Sequence, residues 1–87
     1  MSIAMNFSLT FKTRHIRAFH APLKNPKQIM FRAKGTSIMI SGSALRIKQN
    51  NALVLNDGDS WSDEELAKKF YAKPLSSSGS LEMIVIA

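Results

Sequence analysis

The chain has no cysteine, so neither a disulfide nor a zinc centre built on thiolates can hold it together. Acidic residues are missing from the whole first part, and the first of them is Asp57. No apolar run approaches the ~20 residues that a membrane-spanning helix needs. The opening segment, Met1 to Phe11, has no basic stretch ahead of an apolar one, so it reads as a strand rather than a signal peptide, and the expected location is the cytoplasm with no membrane partner. Aromatic residues are few, with one tryptophan, one tyrosine and five phenylalanines. The hydrophobic fraction of 45% is nevertheless too high for a disordered chain. At 87 residues, positions 1–87 have room for one small core and therefore one domain.

What is present is positive charge, with a net value of +6. Residues 1–56 hold nine lysines and arginines against no acid, whereas residues 57–87 hold three against six acids. A field of that sign attracts polyanions over long distances. Nucleic acid, DNA or RNA, is the first partner it suggests, and an acidic protein is the second. Polar strand faces are basic in many proteins, because lysine deters edge aggregation, but that habit does not account for the absence of acid.

Hydrophobic alternation organises the first two thirds of the chain. Phe7, Leu9 and Phe11 alternate with Ser8, Thr10 and Lys12; the register then slips near Thr13, which predicts a bulge or a new strand. Pro22 and Pro26 make residues 21–27 a loop. Alternation returns in Ile29, Phe31 and Ala33, again in Ile38 and Ile40, and again in Leu45 and Ile47, while Ala52 to Leu55 completes an expected hairpin across the turn Gln49–Asn51. Ser62 with Glu65 has capping-box spacing, Leu66, Ala67, Phe70 and Tyr71 form a helical stripe, and Pro74 would end it. These features predict a helix over about 62–72. The apolar run Met83 to Ile86 predicts a central last strand beneath that helix, with a homodimer through this strand as an open alternative. The fold class is α+β: one antiparallel sheet of five to six strands, able to curl into a half-barrel, with one helix before the last strand.

If the apolar residues mark the core side, then Lys12, Arg32, Lys34, Arg46 and Lys48 project to the opposite side, and Arg14 and Arg17 extend the strip. Those seven are the candidate nucleic-acid-binding residues, contacting phosphates through charge. Met30 and Met39 are the large residues on that face and no aromatic joins them, which favours backbone or groove contact over base stacking. His15 and His20 beside Arg14 and Arg17 are the right residue types for a metal-independent ribonuclease, without a spacing that requires one. Two histidines with no carboxylate nearby do not make a metal site. Residues 56–65 fail the spacing of a calcium loop, and Lys34, Gly35 and Thr36 lack that of a phosphate loop. The sequence therefore points to a non-enzymatic nucleic-acid-binding protein without cofactor or metal. A small inhibitor or adaptor of the kind mobile elements encode, docking on an acidic or nucleic-acid-binding protein, is the alternative, and a ribonuclease the second.

Overall fold

A computed structural model describes residues 3–87; Met1 and Ser2, part of the segment read as the first strand, lie outside the described residues. Eight strands follow in order: β1 (Ala4–Thr10), β2 (Arg17–His20), β3 (Gln28–Lys34), β4 (Ile38–Ser41), β5 (Leu53–Leu55), β6 (Ser60–Asp63), β7 (Lys69–Pro74) and β8 (Ser80–Ile86). A five-residue helix α1 (Ala44–Lys48) joins β4 to β5, and a 3-10 turn (Glu65–Ala67) joins β6 to β7. The strands form two antiparallel four-stranded sheets, β1-β8-β3-β6 and β2-β7-β4-β5, which pack face to face without closing.

Alternation decides which residues lie between the sheets. Ile29, Phe31 and Ala33 of β3 and Leu81, Met83 and Val85 of β8 supply the first sheet's inner face; Ile38 and Ile40 of β4 and Phe70 and Ala72 of β7 supply the second's. Phenylalanines link the two layers. Phe7 meets Phe19 at 5.5 Å between ring centroids, Phe19 meets Phe70 at 5.4 Å, and Phe70 meets Phe31 edge-on at 4.9 Å. Edge-to-face contacts of this kind add to the burial of the rings themselves.

The single sheet expected from the sequence is thus two sheets, and three of its elements are corrected. No helix spans 62–72. Asp63 Oδ1 accepts the Leu66 N–H at 2.9 Å and only a single 3-10 turn follows, after which Phe70, Ala72 and Pro74 point inward in strand alternation. Pro74 is therefore the last residue of a strand, paired with Ile38, rather than a helix stop. The segment around Leu45 to Lys48 is the helix, with Ile47 buried and Leu45 exposed, and β5 pairs with β4 instead of with that segment. Residues 60–63, of which Ser62 and Asp63 were expected to open the 62–72 helix, form an edge strand. The last strand does lie centrally, between β1 and β3. Its outer face is not covered by a helix, and Ile84 there is exposed.

Gly79 fixes the turn into β8. Its φ is +114°, and a Cβ there would come within 2.5 Å of Thr36 Cγ2 and 2.9 Å of the Lys34 carbonyl. Gly79→Ala should therefore cost about 1–3 kcal/mol. Phe70 has no exposed surface and touches two other rings, so Phe70→Ala should cost about 3–5 kcal/mol by leaving a void between the sheets. Urea unfolding of each variant measures both losses.

Candidate polyanion-binding face

The seven cations singled out by sequence do not share a face. Lys12 and Arg14 sit in the exposed bend that carries the chain from β1 to β2. Arg17 opens β2 opposite Ala72, so its parity is inward; from that edge its Nη1 donates to the Thr10 carbonyl at 3.0 Å, strapping the two sheets together. Arg32 and Lys34 project from the outer face of the first sheet. Arg46 and Lys48 are on α1, which lies against β4 and β7 of the second sheet.

The first sheet compensates its own charge. Lys34 Nζ lies 2.8 Å from Glu82 Oε1, and Arg32 stands opposite Glu82 in the β3–β8 register. Contact with the Lys34 ammonium holds the Glu82 carboxyl below its usual range; desolvation opposes the shift, and the Arg32 charge assists it. Asp63 on β6 supplies the sheet's second acid, and Glu64 and Glu65 follow at the same corner. A shallow groove of about 380 Å³ runs across this outer face between Asn6, Met30, Arg32, Ser60, Glu82 and Ile84.

The second sheet is different, because none of its four strands, nor α1, carries an aspartate or glutamate. Strand β7 turns Lys69, Tyr71 and Lys73 away from the core while Phe70, Ala72 and Pro74 face it. In the register of the sheet Lys69 stands beside His20, Tyr71 beside Ala18 and Ser41, and Lys73 beside Met39. Met39 points outward with Lys73 yet is 5% exposed, and Ile47 is 1% exposed; both are buried outside the main core. Helix α1 therefore covers part of this outer face, which leaves Arg46 and Lys48 on the exposed side of the helix. Arg46, Lys48, Lys69 and Lys73 thus belong to elements that contain no acid, and Tyr71 lies between the two lysines of β7. Lys69 Nζ lies 5.0 Å from the Tyr71 ring centroid, so one face of that ring is already occupied by a cation.

Sequence reading missed Lys69, Tyr71 and Lys73 as site residues by placing them on a helix. The alternation Lys69-Phe70-Tyr71-Ala72-Lys73-Pro74 was the signal available. His15 lies in the bend before β2 and His20 on the outer face of the second sheet. Among the described residues, no group of three or more histidine or carboxylate side chains is placed to hold a metal ion. Also among the described residues, no helix is long and apolar enough to cross a membrane.

No family model matches the chain, and no curated protein matches it by sequence. Solved structures do share its fold. An HTH_3 family transcriptional regulator from Vibrio cholerae superposes with a TM-score of 0.68 at 8% identity over 94% of this chain, which spans 42% of the regulator's length. A de novo designed double-stranded β-helix matches with a TM-score of 0.63 at 18% identity, over 95% of this chain and 99% of its own. The SPBc2 prophage-derived protein YomS matches with a TM-score of 0.61 at 13% identity, over 98% and 96% of the two chains. The chain is similar in fold to these three proteins, and at such identities the likeness concerns the fold alone.

Proposed function

We propose that this chain is a non-enzymatic nucleic-acid-binding protein that lays the outer face of its second sheet, together with α1, against a phosphate backbone in the cytoplasm. The observation that carries the reading is the segregation of charge. Asp63 and Glu82 belong to the first sheet, Glu64 and Glu65 to its corner, and Asp57 and Asp59 to the β5–β6 loop, while the strands of the second sheet and α1, which carry Arg46, Lys48, Lys69 and Lys73, contain no acid. Spread cations that meet several phosphates release condensed counterions, and that release supplies affinity without sequence readout. Tyr71 is half-buried and shares its ring with Lys69, so contact with the backbone suits this face better than stacking of bases. Arg17 is engaged with Thr10 and Lys34 with Glu82, which removes them from the binding set.

A second reading rests on exposed apolar groups at the margin of the same face. Leu45 of α1 is 60% exposed and Val54 of β5 43% exposed, and an acidic protein partner would cover them where a phosphate chain would not. A small inhibitor or adaptor fits that arrangement. Recovery of the same protein partner from nuclease-treated and untreated lysate favours it, whereas loss of the bound material on nuclease treatment favours nucleic acid.

With four phosphate contacts, affinity for a short duplex should fall about a hundredfold between 50 and 200 mM salt. The double variant Lys69→Ala/Lys73→Ala should lower the slope of log affinity against log salt by about two, one for each lysine. Arg32→Ala, on the first sheet, should leave both affinity and slope unchanged. Fluorescence anisotropy across a salt series measures all three, and binding that is insensitive to salt would refute the reading.

A further inference from the structure

The four edge strands of the two sheets are not alike. Strand β2 has four residues and carries Arg17, β6 has four and carries Asp63, and β5 has three. Strand β1 has seven residues, Ala-Met-Asn-Phe-Ser-Leu-Thr, with no charge and no proline. Short strands, charges and prolines are the usual means by which proteins protect an edge from pairing with another chain. Strand β1 uses none of them.

The hydrogen bonds show which backbone groups this edge presents. Ile3 and Ala87 exchange both backbone bonds, at 3.0 and 2.8 Å, and the Phe11 N–H donates to the Gly79 carbonyl at 2.9 Å. The β1–β8 register is unbroken between these points. In an antiparallel ladder hydrogen-bonded pairs alternate with non-bonded ones, so odd-numbered residues of β1 bond to β8 and even-numbered residues aim their N–H and C=O away from it. Thr10 agrees with this assignment, because its carbonyl accepts Arg17 Nη1. Ala4, Asn6 and Ser8 remain, and among the described residues no strand pairs with that side of β1.

We infer that β1 is a self-association edge and that its occupant is a second copy of this chain, paired antiparallel about a two-fold axis at Asn6. In that register Asn6 faces Asn6 of the second copy and Ala4 faces Ser8, each pair exchanging two backbone bonds. Pairing stops where Arg17 already occupies the Thr10 carbonyl. On the inner side Met5 meets Phe7 of the second copy and Ile3 meets Leu9. Met5 is 41% exposed and Ile3 55% exposed in the single chain, so the pairing covers apolar surface that is otherwise wet. Charge favours the same edge. Two copies at +6 repel, and a seven-residue strand without charge lets them approach with no cation opposite a cation. Each first sheet then continues into the other, and the contact is isologous, as a two-fold dimer requires.

Because the chain has no cysteine, one substitution reads the register directly. In the full chain Asn6→Cys should form a disulfide-linked dimer under mild oxidation, since Cα atoms across a hydrogen-bonded pair lie about 5.5 Å apart, within disulfide range. Ser62→Cys, on edge strand β6 of the same sheet, should cross-link far more slowly. Sedimentation equilibrium should show a dimer for the unaltered chain. Asn6→Pro should weaken that dimer about tenfold or more while circular dichroism shows the fold retained, because the N–H it removes faces away from β8. A monomer at every concentration, equal cross-linking of the two cysteine variants, or a dimer indifferent to Asn6→Pro with the fold retained would each overturn the inference.

Discussion

Contact between the phenylalanines of the two layers is the constraint on which the rest of this structure depends. Neither sheet can bury its inner face alone, and the chain has no disulfide to hold the sheets together. Phe7 and Phe31 from the first sheet and Phe19 and Phe70 from the second form one connected row of rings. Packing through that row fixes which side of every strand is interior, because side chains alternate along a strand with a period of two. The same choice sends Lys69, Tyr71 and Lys73 outward on β7, and Arg32, Lys34 and Glu82 outward on the first sheet.

The electrostatic difference between the two outer faces follows from topology. The first sheet interleaves strands from the two ends and the middle of the chain, so the acids of the second half reach its outer face and corner: Glu82 enters beside the cations of β3, and Asp63 lies at the β6 edge. The second sheet draws on β2, β4, β5 and β7, none of which contains an acid. The cations of α1 and β7 thereby sit on elements that carry no acid, while those of β3 stand beside Glu82. Exposed ion pairs such as Lys34–Glu82 contribute little to stability, and their consequence here is to leave the first sheet close to neutral.

Much of this was legible in the sequence and part was not, for identifiable reasons. The alternation in β3 and β4 is unbroken, and both strands were placed correctly together with the loop that precedes β3. The interval from Leu66 to Pro74 satisfies two periods at once: Leu66, Ala67, Phe70 and Tyr71 suit a helix, and Phe70, Ala72 and Pro74 suit a strand. Local spacing favours the helix, and burial against Phe31 and Ile38 decides for the strand. Leu45 to Lys48 is the mirror case. It alternates like a strand, yet β4 already has β5 and β7 on its two edges, which leaves the segment free to coil with Ile47 as its anchor. Because both misread segments carry cations, the net charge and its sign were readable while the face that collects it was not. Partition into two sheets is a long-range pairing outcome that no local window contains.

The central claim is that one outer face, and not the other, meets a polyanion. Backbone amide chemical shifts recorded while a short nucleic-acid duplex is titrated into the labelled protein test it most directly. The account predicts changes confined to residues 17–20, 44–48 and 69–73. Changes centred on residues 28–34 and 80–86, or none at all, would contradict it.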